Sequence, residues 1–192
     1  MLVIGNGESR QHIDISKIKK TKIGCNAIYR DFEVDHLVCV DKKMLNEACL
    51  TCTNTLIYTR KDWINRYTHI PNIQLVPDIP FEGVGRMDDG WHWGSGPYAV
   101  LLAATLSVQS IHLVGFDLYS KDNKINNIYK ETLNYKSSDH RAVDPSYWIY
   151  QIGRVIEHFP LTQFTFFQTD NWQLPNSWKK SNVIVDKISS IV

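Results

Sequence analysis

The chain has 192 residues, of which 43% are hydrophobic and 21% are charged, and this is the composition of a folded globular domain. Its 21 Lys and Arg residues nearly balance its 20 Asp and Glu residues, so no overall field draws the protein to nucleic acid or to an anionic membrane. These values exclude a disordered chain, a coiled coil and a disulfide-held miniprotein. We expect one domain over residues 1–192 and no nucleic-acid partner.

Apolar stretches and cysteines bear on the compartment. The longest nearly apolar stretch, residues 97–108, is shorter than the roughly 20 residues that a bilayer-spanning helix needs. Cys49 and Cys52 form one CxxC pair, but no second pair or nearby histidine completes a zinc site, and Cys25 and Cys39 lie in apolar runs. The sequence therefore predicts reduced thiols, no metal site, no transmembrane segment and a cytoplasmic location.

Short apolar runs alternate with polar loops in the first half of the chain, which predicts parallel strands joined by helices. The predicted strands cover residues 2–4, 22–25, 35–40 and 55–59. A short helix is predicted over residues 14–18. A longer helix is predicted over residues 42–50, where apolar side chains recur at helical spacing.

The middle of the chain departs from this alternation. Residues 77–96 hold half of the chain's 10 glycines, and a long glycine-rich loop inside a compact domain is usually functional. Pro97 suits the first turn of a helix, and the small and apolar residues that follow predict that this helix is buried. Residues 111–114 are typical of a central strand.

The last third begins with a polar segment, residues 120–144, that predicts a lid-like excursion from the core. A helix over residues 145–159 and a last strand over residues 163–167 follow, ahead of an irregular tail that carries tryptophans. Together the elements predict an α/β fold, a single Rossmann-like domain with a mainly parallel sheet and helices on both faces.

Candidate ligand-binding residues follow the first predicted strand. In an open parallel sheet, ligands collect at the edge formed by the carboxyl ends of the strands. Gly5, Asn6, Gly7 and Ser9 resemble the start of a dinucleotide-binding fingerprint, although Arg10 stands where its third glycine belongs. Glycines here would let backbone N–H groups approach a phosphate, or they would serve a left-handed turn alone.

Two later positions are also candidates. Ser95 and Gly96 precede a predicted helix, where N–H groups, a hydroxyl and the helix dipole would face one anion; an ordinary helix cap would need the same residues. His140 lies in a polar loop, where an imidazole is available for proton transfer near neutral pH. A lone loop histidine can equally be incidental.

As a set, these segments resemble the bacterial lipooligosaccharide sialyltransferases, single-domain Rossmann-like enzymes that use CMP-activated sialic acid. The matching segments are residues 4–9 for the opening GNGPS loop, 25–29 for an RCN-aromatic segment, 94–98 and 115–119 for a block that begins with Ser-Gly and ends with Gly-Phe-Asp-Leu-Tyr, and His140 with the helix after it. Their order and approximate spacing agree over nearly the whole chain. Glu8 replaces the family proline, and Asp41 stands where the family tends to have asparagine.

The resemblance implies an inverting, metal-independent glycosyltransferase that moves sialic acid or a related sugar from a CMP-sugar donor to a glycan acceptor, with no cofactor besides the donor. It implies that Tyr119 hydrogen-bonds the departing phosphate and that His140 is the general base. The nucleotide contacts that follow from it and from the loops are Gly5, Asn6, Gly7, Ser9, Asn26, Asp41, Ser95 and Gly96.

Two other functions stay open at this point. Relatives of the archaeal-type pterin pyrophosphokinases share a related opening loop and bind Mg²⁺ and a nucleoside triphosphate through acidic residues, a role that Asp41 and Asp117 could fill. A catalytically silent module would bind a nucleotide sugar without turning it over. The sequence also leaves a homo-oligomer open.

Overall fold

The protein is described by a computed structural model that covers residues 1–107, 109–120 and 122–191. Its centre is an eight-stranded sheet with the strand order β5-β4-β3-β2-β1-β6-β7-β8, in which every neighbouring pair is parallel. The strands are β1 (Leu2–Ile4), β2 (Lys22–Cys25), β3 (His36–Val38), β4 (Leu56–Thr59), β5 (Ile73–Leu75), β6 (Ser110–Val114), β7 (Gln163–Gln168) and β8 (Val183–Lys187).

Helices cover both faces of this sheet, as the sequence predicts. They are α1 (Lys42–Thr51), α2 (Lys61–Ile64), α3 (Ser95–Leu106) and α4 (Ser146–His158). Short 3₁₀ turns lie at Glu8–Arg10, Ile15–Lys17, Asn26–Arg30, Gly90–His92, Asn176–Trp178 and Ile188–Ser190. The prediction of a single Rossmann-like α/β domain is confirmed.

The alternation of β1 divides the core into two layers. Val3 packs in the layer that contains α3 and α4, whereas Leu2 and Ile4 pack in the layer that contains α1. Side chains of a strand point alternately to the two faces, so three consecutive apolar residues are what a strand covered on both sides requires. The helix α3 is buried along almost its whole length, which explains why it has no polar face.

The sequence prediction was wrong at the two edges of the sheet. The tryptophan-bearing tail is not irregular, because Val183–Lys187 forms β8, and Ile73–Leu75 forms an unpredicted β5. Both are edge strands with mostly exposed residues, so they lack the continuous apolar run of the central strands. The helix expected over residues 14–18 is only the 3₁₀ turn Ile15–Lys17.

The order of strands places a switch point beside β1. The chain builds β1 to β5 outward in one direction, then crosses back through α3 to place β6 on the other side of β1. In open α/β sheets the crevice at such a point is the usual ligand site. The loops after β1 and β6 therefore meet where the sequence candidates cluster.

Residues 122–144, here called the strap, contain no helix or sheet strand within the described part, only an isolated bridge between Lys124 and Arg141. The strap crosses the carboxyl edge of the sheet, since the N–H of Ile128 donates to the carbonyl of Asn6 at 2.9 Å. The segment predicted to leave the core, residues 120–144, includes Lys121, which lies outside the described residues.

Candidate functional site

The loop after β1 is already hydrogen-bonded within the protein. The N–H of Gly7 donates to a backbone carbonyl at the end of β6, and the N–H of Glu8 donates to Asn126 Oδ1 at 3.0 Å. Ser9 donates from its N–H to Asp117 Oδ2 at 2.9 Å and from its hydroxyl to Asp117 Oδ1. The N–H groups of Gly7, Glu8 and Ser9 thus have internal acceptors in place of a phosphate.

The two glycines of this loop are explained by neighbouring atoms that leave no room for a Cβ, and not by an unusual backbone conformation. A Cβ on Gly5 would lie 2.3 Å from the carbonyl oxygen of Gly115, and one on Gly7 would lie 2.3 Å from Asp117 Cγ. Gly7 has an ordinary φ of −67°, so the alternative of a left-handed turn at this residue is wrong. The left-handed glycine is Gly115, with φ of 72°, on the neighbouring loop.

The ends of β2 and β3 meet the first residue of α3 through Ser95. Its hydroxyl donates to Asn26 Oδ1 at 2.8 Å and accepts from the N–H of Val40 at 3.2 Å, and Ser95 is only 6% exposed. Asn26 follows β2 directly and has a left-handed φ of 50°, which asparagine tolerates better than most residues. These three residues form a hydrogen-bonded chain at the carboxyl edge of the sheet, in which Ser95 and Val40 are buried and Asn26 is half-buried.

Asn6 belongs to the same edge. Its Nδ2 donates to the carbonyl of Cys25 at 3.0 Å, and the thiol of Cys25 in turn approaches the carbonyl of Ser95 at 3.7 Å. The Oδ1 of Asn6 is buried and has no partner among the described residues. The structure therefore brings together Asn6, Asn26, Ser95 and Gly96, a group called the α3 cradle below.

The first turn of α3 is open to an acceptor. Its cap residue, Gly94, makes no side-chain cap, and within the described part of the chain no group accepts from the N–H of Ser95 or Gly96. A Cβ on Gly96 would meet only Phe116 Cε1, at 3.6 Å. Unpartnered N–H groups at the positive end of a 12-residue helix suit an anion.

Asp41 is placed at the start of α1. Its Oδ1 accepts from the N–H of Lys43 at 2.9 Å and from that of Met44 at 3.3 Å, which is the geometry of a helix N-cap. The capping role is enough to explain an aspartate at this position, whether or not a ligand binds there. The nucleotide contact assigned to Asp41 stays a prediction.

The two residues predicted to be catalytic lie on and beside the strap. Tyr119 is 43% exposed, and burial of the rest of its ring raises its pKa, so the hydroxyl stays protonated and able to donate. His140 is exposed, and its Nδ1 lies 2.8 Å from the hydroxyl of Ser137. No hydrogen bond joins either side chain to the α3 cradle within the part of the chain that the structure describes.

The buried Arg10, which stands at the position of the third fingerprint glycine, holds the strap in place. Arg10 is 4% exposed, and its Nε donates to the carbonyl of Gly5 at 2.8 Å while its Nη2 donates to the hydroxyl of Tyr129 at 3.0 Å. Tyr129 donates in turn to Asp31 Oδ2 at 2.6 Å. Sequence reasoning missed this role because Arg10 and Tyr129 are 119 positions apart.

The charge of Glu8, at the position of the family proline, is also met by the strap. Lys130 forms an ion pair with Glu8 Oε1, and this partner raises the pKa of the lysine. A carboxylate in the opening loop is thus neutralised locally and does not face the cradle as an unpaired charge.

The described residues offer few groups for binding a metal or for thiol chemistry. Over the described ranges, no group of three or more His, Cys, Asp and Glu residues could hold a metal ion. The cysteines are free, and burial raises the pKa of the Cys25 thiol to about 12, so it is a poor nucleophile. Among the described residues no helix has the length and apolar character needed to span a bilayer.

The fold and its carboxyl edge together define a single Rossmann-like α/β domain with a helix N-terminus open to an anion at that edge. The chain matches no protein-family model, no curated protein and no solved structure in the comparisons made.

Proposed function

We propose that the protein is a glycosyltransferase that moves sialic acid or a related sugar from a CMP-activated donor to the hydroxyl of a glycan, by metal-independent inverting displacement. The observation that carries the proposal is the α3 cradle, in which unpartnered N–H groups of a helix lie beside the amides of Asn6 and Asn26 at the carboxyl edge of the sheet. The choice of CMP as the nucleotide rests on the sequence resemblance.

The hydrogen bond between Ser95 and Asn26 decides which end of the amide faces a ligand. The hydroxyl of Ser95 accepts from the N–H of Val40 and donates its own proton to Asn26 Oδ1. Asn26 Nδ2 is then left as a donor with no partner among the described residues. A phosphate or a cytosine carbonyl oxygen would meet this donor together with the N–H groups of Ser95 and Gly96.

The leaving phosphate needs a donor where negative charge develops, and the acceptor hydroxyl needs a base. In the proposal Tyr119 supplies the donor. His140 supplies the base in the tautomer whose Nδ1–H donates to Ser137, because Nε2 then carries the free lone pair that takes the proton.

The Mg²⁺-dependent pyrophosphokinase alternative has less support. It needs Asp41 and Asp117 as metal ligands, but both oxygens of Asp117 accept from Ser9 and Asp41 caps α1. A nucleotide-sugar-binding module without turnover uses the same cradle, so it is separated from a transferase only by experiment.

Nucleotide binding is tested by thermal unfolding with CMP, UMP, AMP and GMP, each with and without Mg²⁺. We expect CMP alone to stabilise the protein without metal, by about 2.7 kcal/mol at 100 times its Kd, which is a shift of several degrees. Ser95→Ala should remove most of this shift. The matched control, Ser107→Ala at the other end of α3, should retain it. A shift with purine nucleotides and Mg²⁺ only would contradict the proposal.

Turnover is tested by release of CMP from CMP-sialic acid with a panel of oligosaccharide acceptors. His140→Ala should lower the rate by about 10² to 10⁴ and leave CMP affinity unchanged, because a general base acts on the acceptor. The control is His69→Ala, an exposed histidine in the loop that enters β5 at the opposite edge of the sheet. CMP binding without release in the unmodified protein would identify the silent module.

A further inference from the structure

A groove of about 570 Å³ opens at the carboxyl ends of β4 and β5, beside the first turn of α3. It is lined by residues 60–62, 75–79 and 89–91 and by Tyr98, which is buried. None of the residues of the α3 cradle lines it. The groove is therefore a concave surface separate from the α3 cradle, on the edge where ligands of such sheets collect.

Trp91 forms an aromatic platform on the rim of this groove. The residue is 57% exposed, although its backbone is fixed at both ends: the N–H donates to Asp89 Oδ1 at 2.9 Å and the carbonyl accepts from Arg60 at 2.5 Å. The guanidinium of Arg60 also lies 4.7 Å from the ring centre. A large aromatic side chain that is held in place yet left in water is suited to stacking with a ligand.

Hydrogen-bond acceptors outnumber cations along the groove. Asp62, Asp78 and Asp89 line it together with two cationic residues, Arg60 and Lys61. Arg60 forms an ion pair with Asp62 at 3.0 Å. The carboxylate of Asp78, in contrast, is exposed and has no partner within the described part of the chain. This excess of carboxylates disfavours a phosphate and favours a neutral ligand that donates several hydrogen bonds.

We propose that this groove binds a neutral saccharide, with one sugar ring stacked on Trp91 and with hydroxyls that donate hydrogen bonds to the carboxylate of Asp78. A pyranose ring has an apolar C–H face that packs on an aromatic ring, and its hydroxyls are the donors that free carboxylates accept. Saccharide binding stands on the groove alone. That the saccharide is the acceptor of the transfer reaction rests on the proposed function.

The test titrates the full chain, without nucleotide, with lactose, N-acetyllactosamine, cellotriose and maltotriose, observed by saturation-transfer NMR. We expect saturable binding of at least one of them, weakened about tenfold by Trp91→Ala and largely kept by Trp91→Phe. Asp78→Asn should weaken it as well. The matched control is Asp170→Asn. Asp170 lies just after β7, is exposed and pairs with Lys187, so this substitution should have no effect on saccharide binding.

The same titration is made with sialic acid and with tetramethylammonium. Three results would overturn the proposal: no binding of any of the four saccharides, binding that Trp91→Ala and Asp78→Asn leave unchanged, or preferred binding of the anionic or the cationic probe. The melting temperature of each variant is measured to check that it folds. If Trp91→Ala does not fold, the result with Asp78→Asn tests the proposal. The CMP shift should be the same in Trp91→Ala and the unmodified protein. Failure of CMP binding with intact saccharide binding would therefore refute the donor site and leave the groove standing.

Discussion

The hydroxyl of Ser95 and the side-chain amide of Asn26, 69 residues apart in the chain, are joined by a 2.8 Å hydrogen bond at the carboxyl edge of the sheet. This bond links the end of β2 to the first residue of α3, and the N–H of Val40 extends it to the end of β3. In this polar chain Ser95 and Val40 are buried and Asn26 is half-buried, and such a chain stabilises the fold when its members keep their hydrogen-bond partners. Its members therefore affect stability and ligand binding together, and variants must separate the two.

Asn26 offers such a separation because its φ is 50°. Glycine adopts this conformation freely, whereas the Cβ of alanine crowds the backbone, so Asn26→Ala should be less stable than Asn26→Gly by about 1 kcal/mol. Both variants lose the amide donor, and both should lose CMP affinity. Urea unfolding and the CMP titration measure the two effects. Equal stability of the two variants would contradict the left-handed backbone at this position.

Gly5 and Gly96 should respond to alanine in opposite ways. At Gly5 the new Cβ would lie 2.3 Å from the carbonyl oxygen of Gly115, so β1 and β6 must separate, at a cost of about 3 kcal/mol. At Gly96 the Cβ meets Phe116 at an ordinary 3.6 Å, and alanine is the better helix former, so stability should not fall.

Ligand binding gives the second half of this comparison. If the first turn of α3 receives a phosphate, the methyl group of Gly96→Ala stands beside the approaching anion, and CMP affinity should fall while the melting temperature is kept. Undiminished CMP affinity in Gly96→Ala would place the phosphate elsewhere on the edge.

The central strands and the place of the candidate site were predictable from local sequence. Leu2–Ile4 is apolar on both faces and ends in a glycine loop, and Ser95 precedes a helix that is apolar all round; both patterns are read within a few residues. The edge strand β8 was not predictable, because exposure on one edge removes the pattern that marks a buried strand.

Features made by distant residues were also out of reach. Gly7 is a glycine because the carboxylate of Asp117, 110 positions later, lies against it, and nothing near Gly7 in the chain shows that. The missing glycine of the fingerprint is explained by the contacts of Arg10 with Gly5 and Tyr129. The groove beside Trp91 likewise forms only when the ends of β4 and β5 meet the turn before α3.

Arg10 should be essential to the position of the strap. Arg10→Met keeps the volume and apolar stem but leaves the buried carbonyl of Gly5 without its partner and frees Tyr129 from the loop, at a cost of about 2 kcal/mol. Limited proteolysis should then cut within residues 122–144 faster than in the unmodified protein. The control is Lys17→Met, because Lys17 is 76% exposed and, among the described residues, its one ion pair is with Asp14. An unchanged cleavage rate in Arg10→Met would show that the strap is held by its other contacts.

Two histidines in the sheet should make stability depend on pH between 7 and 5. Burial is the main cause that lowers the pKa of both His36, at the start of β3, and His112, in β6; for His112 the nearby Lys20 acts in the same direction. A histidine whose pKa is lower in the folded state binds its proton first in the unfolded state. Its contribution to stability is thus complete above the ordinary pKa of 6.5 and is lost as the pH falls below that value.

The measurement is the urea midpoint of unfolding at several pH values from 7.5 to 5, for the unmodified protein and for the double variant His36→Gln, His112→Gln. We expect the midpoint to fall with pH in the unmodified protein and to change less in the double variant, because glutamine does not titrate. The N-terminal amine, whose pKa burial also lowers from 8.0, is present in both proteins, so its own burial affects both alike; its charge also helps to lower the pKa of His112. Equal slopes would show that neither imidazole is held neutral by the fold, and a midpoint that rose on acidification would reverse the sign argued from their burial.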